Sequence, residues 1–145
     1  MSDAPNRLWI ANAWADADDG ATFATTNPAT GEVITQVAEA KAADVDKAVA
    51  AARAAMDGKA WGGMNAHKRS KLLWALADAI EANADELGAL ETADNGKPYF
   101  EARKVDLPSV VENFRYFAGM ADKIHGDTIP VSGPFLNYTL REPVG

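Results

Sequence analysis

The stretch that most constrains the fold is Leu87-Gly88-Ala89-Leu90-Glu91-Thr92-Ala93-Asp94-Asn95-Gly96-Lys97-Pro98. Leu87, Leu90 and Glu91 keep helical spacing, and Gly96 can take the left-handed conformation that closes a helix. Pro98 cannot extend that helix because it has no amide hydrogen, but it suits the first turn of another. The chain therefore has to stop here and start again as a second helix. Asp94 sits awkwardly in that arrangement. A carboxylate in a last helical turn faces the negative end of the dipole, which disfavours it by roughly 0.3–1 kcal/mol. Compensation is expected from a cation, from Lys97, or from the amides that open the next helix.

Upstream, the pattern begins with short strands. Leu8-Trp9-Ile10 and Trp14 bracket Ala11-Asn12-Ala13 as a hairpin, with Asn12 supplying turn chemistry. Thr22 to Thr26 is rich in β-formers. After the Asn27-Pro28-Ala29-Thr30-Gly31 turn, Glu32 to Ala38 alternates as a half-buried strand does. Helical signals follow. Asp44 is expected to cap a helix with Val45, Ala48, Val49, Ala52 and Met56 on its apolar face, ending at Gly58. Asn65 caps the next, whose face is Leu73, Leu76, Ala77 and Ile80. Asn83 and Glu86 have capping-box spacing and restart the helix toward Leu87.

Beyond Pro98, Leu107, Val110, Val111, Phe114, Phe117, Ala118, Ala121 and Ile124 keep helical spacing up to Gly126. Pro108 removes one hydrogen bond inside that segment and is expected to bend or divide it. Thr128 to Val131, Ser132-Gly133-Pro134 and Phe135 to Arg141 read as a hairpin. Leu136, Tyr138 and Leu140 share one face of its second strand.

Composition limits what such a chain can bury. Of its 145 residues 48% are hydrophobic, but 30 are alanines, which remove little area from water, and only 8% are aromatic. A compact body of this length buries on the order of 68% of its unfolded surface, and this chain is poorly supplied to reach that alone. The net charge of -7 and the absence of a basic run argue against nucleic acid and anionic membrane partners. The longest apolar stretch, around Ala48 to Met56, is interrupted by Arg53 and is too short to span a bilayer. Met1 to Asn6 lacks the apolar core of a signal peptide, so the expectation is a soluble, cytoplasmic protein.

Candidate catalytic groups are few. There is no cysteine, hence no disulfide, thiolate metal site or thiol nucleophile among these residues. His67 and His125 lie on separate segments without ligand spacing and read as surface or packing residues. Trp9, Trp14, Trp61 and Trp74 are scattered and read as core anchors. Glu81, Asp85, Glu86 and Glu91 look like a solvated helix face. Gly58, Gly62 and Gly63 do not have the spacing of a dinucleotide cradle.

Four segments carry a family resemblance. Glu91-Thr92-Ala93-Asp94-Asn95-Gly96-Lys97-Pro98, Asn27-Pro28-Ala29-Thr30-Gly31-Glu32, Phe114-Arg115-Tyr116-Phe117-Ala118-Gly119 and Arg141-Glu142-Pro143-Val144-Gly145 resemble signatures of the NAD(P)-dependent aldehyde dehydrogenase superfamily. They stand in that family's order, and the likeness extends from Leu8 to Gly145. It is greatest toward the betaine-aldehyde and retinal dehydrogenase-like branches. One departure is Ala13, which stands where the family usually has a glycine after Asn12.

The resemblance implies an α/β fold of aldehyde dehydrogenase type. Residues 1–126 would be the N-terminal strand-and-helix part flanking the Rossmann-like cofactor domain, and 127–145 the first hairpin of the oligomerisation β-arm. It implies that Asp94 and the main-chain carbonyls of Thr25 and Thr26 hold a structural Na+ or K+, an oxygen donor set suited to a hard cation. The alternatives for Asp94 are that it caps the helix at Pro98 or pairs with Lys97. Val105 and Ser109 match positions lining the aldehyde entrance tunnel. The blander reading makes Val105 a core residue and Ser109 a helix-starting one.

The parent reaction would convert an aldehyde, NAD or NADP in oxidised form, and water into a carboxylate and the reduced cofactor. The family performs it with a cysteine nucleophile, an activating glutamate and an oxyanion hole, all at positions beyond the one matched by Gly145. The expectation is thus the N-terminal portion of a dehydrogenase subunit, inactive alone, that joins the remainder of the subunit and a homodimer or homotetramer acting on a small aldehyde. The competing reading is a free-standing, non-catalytic α+β interaction or oligomerisation module.

Overall fold

A computed structural model describes residues 6–144. The N-terminal hairpin pairs β1 (Leu8–Ile10) with β2 (Ala13–Ala15), placing Trp9 opposite Trp14 with ring centroids 4.6 Å apart, edge to face. Ala11 and Asn12 both have positive φ, 53° and 64°, the backbone of the tight turn that matches strand twist. Asn tolerates this conformation well; Ala does not. β3 (Thr22–Thr26) and β4 (Val33–Ala38) form a second antiparallel pair, irregular between Thr25 and Thr26.

Helix α1 (Ala42–Asp57) follows and ends at Gly58 as the spacing indicates. Its N-cap position is Lys41, not Asp44. Asp44 lies at the third helical position, where its carboxylate accepts the Lys41 amide at 3.0 Å and the Asp18 amide at 3.1 and 3.2 Å. It therefore ties α1 to the loop after β2. At 3% exposure it is the buried charged residue among those described. The Lys41 amide, then the Asp18 amide and Lys47, hold its carboxyl below the ordinary aspartate range against the opposing effect of burial.

Helix α2 (Ala66–Ala82) starts at Asn65, whose side chain accepts the Lys68 amide at 2.9 Å. At Asn83 the chain restarts as α3 (Ala84–Asn95), but the expected capping box does not form. The Asn83 amide turns back to donate to the Ala79 carbonyl, so it closes α2 instead of opening α3. Gly96 closes α3 at φ 78°.

After Pro98 come α4 (Tyr99–Glu101), a π-helical turn (Ala102–Asp106) and α5 (Leu107–Met120), running on as one rod. Pro108 divides that rod by chemistry. Its ring cannot donate, and the turn before it widens so that the Leu107 amide reaches the Ala102 carbonyl. The helix stops at Met120, short of Gly126. Gly126 instead lies flat on the arm, where an added Cβ would fall 1.8 Å from the Thr139 carbonyl oxygen. The final hairpin pairs only β5 (Thr128–Ile129) with β6 (Asn137–Tyr138).

The core is small. α2 packs along α5 and α3 against the π-turn, and the buried apolar residues are Ala17, Ala77, Ala84, Ala102, Val111 and Ala118. Close helix approach through alanine explains both the tight packing and the poverty of buried area. The four tryptophans are not core anchors: all are about half exposed. Arg115 joins α5 to α2 by donating to Asp78 at 2.8 Å and Glu81 at 2.6 Å, with its guanidinium over Trp74.

Two outcomes follow. Ala11→Gly should stabilise by about 1 kcal/mol by removing the Cβ penalty of a left-handed alanine, measured by urea unfolding, whereas Ala11→Val should destabilise. Asp44→Asn should lower the unfolding midpoint most at neutral pH. A depressed folded-state pKa contributes stability above the unfolded value near 3.8 and loses it as pH falls through the folded one, so the gap from wild type should close in acid.

Candidate functional site

The end of α3 lies against the β3–β4 hairpin. A Cβ on Gly96 would fall 2.9 Å from Pro28 Cγ and 3.3 Å from the Ala29 amide nitrogen, so helix end and turn are in contact. The turn is held by its own sequence: the Asn27 amide donates to the Glu32 carbonyl at 2.9 Å, and Asn27 Oδ1 accepts the Ala29 amide at 2.9 Å. Thr25 and Asp94 are thereby brought to one open cavity of about 760 Å³, with Ile34, Leu87 and Leu90 as its apolar wall. Thr26, the next residue in β3, is exposed and does not line it.

Neither alternative expected for Asp94 forms. Lys97 pairs with Asp106 and stands 4.0 Å from Glu91, and its amide is taken at 2.9 Å by Asn95 Oδ1. No basic residue occupies the last turn of α3, and Asp94 has no ion-pair partner among the described residues. Its carboxylate faces the negative helix end uncompensated. Among the described residues no cluster of three His, Cys, Asp or Glu exists to hold a metal in the manner of a transition-metal site. Of the three residues expected to hold a cation, Thr25 and Asp94 share the cavity and Thr26 does not.

Val105 is no core residue. It projects from the π-turn at 51% exposure, because the widened turn and Pro108 leave the Ala102 side of the rod as the one that packs. Ser109 follows one turn later in α5, and its hydroxyl donates to the Val105 carbonyl at 2.9 Å. The two therefore share one exposed face, apart from the Asp94 cavity. Neither His67 nor His125 lines the cavity.

Sequence reading missed the polar chain around Lys97. Glu91 accepts the Asn95 amide group, and Lys97 bridges onward to Asp106, whose bond keeps the lysine above its ordinary range. The Glu91–Asn95 spacing of four residues was a usable signal. The Lys97–Asp106 pair was not, because it depends on how the π-turn folds back on α3.

A profile of the aldehyde dehydrogenase family matches residues 14–145. The chain is 55% identical over 141 residues to a mitochondrial aldehyde dehydrogenase of Rattus norvegicus, covering 97% of this chain and 27% of that protein. A mitochondrial benzaldehyde dehydrogenase of Antirrhinum majus is 49% identical over 140 residues, covering 97% of this chain and 26% of that one. The fold superposes on an aldehyde dehydrogenase of Bacillus cereus in complex with NAD+ with a TM-score of 0.91 and 46% identity. That match covers 95% of this chain and 28% of the solved one. The chain thus spans little more than a quarter of the length of the relatives it matches.

The Gly96 contact makes a direct prediction. Gly96→Ala should destabilise by roughly 1–3 kcal/mol, since the alanine must hold a left-handed backbone and also displace Pro28. Chemical denaturation would register it, and a neutral result would mean that α3 and the turn are not in contact.

Proposed function

The chain belongs to the aldehyde dehydrogenase family, and from that premise we propose that it is the N-terminal portion of an NAD(P)-dependent enzyme oxidising an aldehyde to the carboxylate. The observation that carries the reading is the continuous superposition of this fold on the opening quarter of an NAD+-complexed aldehyde dehydrogenase. Residues 1–126 would flank the cofactor domain, and 127–145 would begin the oligomerisation arm of a homodimer or homotetramer. A cytoplasmic location belongs to the same reading; among the described residues no helix is long and apolar enough to cross a membrane.

No glycine-rich strand-to-helix cradle occurs among the described residues, and there is no cysteine in the chain. Neither cofactor contact nor nucleophile is therefore assigned here, and the chain's contribution is positional. Asp94 with the Thr25 and Thr26 carbonyls would hold Na+ or K+, a charge that offsets the carboxylate at the α3 end and fastens that end to the hairpin. Val105 and Ser109 would border the aldehyde's path, and the small Ser109 favours a roomy entrance. Leu136, Tyr138 and Leu140 are 76%, 58% and 69% exposed on one face of the arm, which suits a surface that a neighbouring subunit covers. The non-catalytic module remains the second reading, supported by the missing cysteine.

Full-length protein incubated with NAD+ or NADP+ and acetaldehyde should generate reduced cofactor, while residues 1–145 alone should not; an inactive full-length protein would favour the module. If the cation reading holds, KCl should raise the melting temperature above that in choline chloride of equal ionic strength. At one hundred times Kd the gain is about 2.7 kcal/mol, and Asp94→Ala should abolish it. Leu136→Asp combined with Leu140→Asp should shift the assembly toward monomer in light scattering; an unchanged mass would remove the arm from the interface.

A further inference from the structure

The π-turn is tied to α3 from both of its ends. Arg103 Nε donates to Asp85 near the start of α3, and Lys97 Nζ donates to Asp106 just past its end. The two ties differ in surroundings. The two cations are alike in burial, Arg103 at 26% and Lys97 at 28% exposure, but Asp85 is 83% exposed against 41% for Asp106, so solvent and salt screen the Arg103 pair more. Lys97 is 28% exposed and lies in the wall of an otherwise mostly apolar groove with Ile80, Leu87, Ala102, Leu107 and Val110.

Lys97 is also anchored at its backbone. Its backbone amide is held by Asn95 Oδ1, and Glu91 stands 4.0 Å from its ammonium as a second carboxylate. Its backbone is thus bonded to the closing turn of α3 while its side chain reaches the π-turn. A π-turn is an isolated insertion in an α-helix. Which residues it occupies decides the direction of every side chain within it, Val105 included. The Ser109 hydroxyl donates to the Val105 carbonyl, so Ser109 is coupled to the same geometry.

We infer that Lys97 is a positioning residue for aldehyde access: its bond to Asp106 sets the register of the π-turn and so places Val105 and Ser109 at the substrate entrance. This rests on the tunnel role proposed for Val105 and Ser109. Lys97 touches no reacting group, so its loss should alter which aldehydes enter more than how fast a bound one reacts.

The test uses full-length enzyme with acetaldehyde as the small probe and benzaldehyde as the bulky one. Lys97→Met should change the ratio of their KM values by about tenfold, the low end of what a small change of fit in an apolar pocket does to discrimination, while kcat for acetaldehyde stays near wild type. Lys97→Arg should restore the ratio, as should the exchanged pair Lys97→Asp with Asp106→Lys. Asp85→Asn, which loosens only the screened tie, should leave it unchanged. Asp106→Asn supplies the same readout should Lys97→Met fail to fold. An unchanged ratio in a folded Lys97→Met or Asp106→Asn enzyme overturns the inference. Ser109→Trp separates the two levels. If it shifts the benzaldehyde KM and Lys97→Met does not, only the positioning role falls; if it shifts nothing, the tunnel reading falls and takes this inference with it.

Discussion

Most of the large apolar side chains in this chain have too little of the chain's own surface to pack against. Among the described residues the buried apolar ones are five alanines and one valine, whereas Phe100, Ile124, Phe135, Leu136 and Leu140 are each about two-thirds exposed or more. At roughly 25 cal/mol per Å² of buried apolar surface, alanine contributes little toward the ordering cost of the backbone around it. The pieces of the fold are instead held by specific ties. Asp44 bonds the loop after β2, Arg115 bridges α2 and α5, and Lys97 and Arg103 clamp the π-turn to α3. Such a construction suits a layer laid against a larger body.

The α3 terminus carries one of these ties, Lys97 to Asp106, and also meets the hairpin turn. Its backbone ends in the left-handed Gly96, so close to the Asn27 turn that a side chain there would have to displace Pro28. On one side Asp94 faces the hairpin cavity, and on the other Lys97 reaches the widened turn before Pro108. Residues three apart thus have different surroundings, one a cavity against the hairpin and one an ion pair with the π-turn. The arrangement explains why Lys97 leaves Asp94 unpaired despite being three residues away: the chain reverses at Gly96 and carries the lysine to the other face.

The strands, the caps at Asn65 and Gly96, and the break at Pro108 were legible because each depends on a residue's own backbone preferences or, for Asn65, on an amide three residues ahead. Legibility failed where a side chain had a choice of partners. Asn83 carried the spacing of a capping box yet bonded backwards to Ala79. Asp44 acted from the third helical position, because the Asp18 amide, far off in sequence, came within reach. For Val105 the core reading failed: it lies in a π-turn, which no periodicity signals, and stands exposed. The tryptophans marked apolar mass correctly and its burial wrongly.

By itself the sequence determined where the backbone could bend, which segments were helix or strand, and, through four ordered motifs, the family to which the chain belongs. Those properties are local, set by the steric limits of glycine and proline and by the alternation of apolar positions. Tertiary structure alone decided which carboxylate Lys97 would take, that Asp94 would be left without one, and which face of the divided helix would carry Val105 and Ser109. Each of those outcomes is a competition among partners distant along the chain, and only packing brings the competitors within bonding distance.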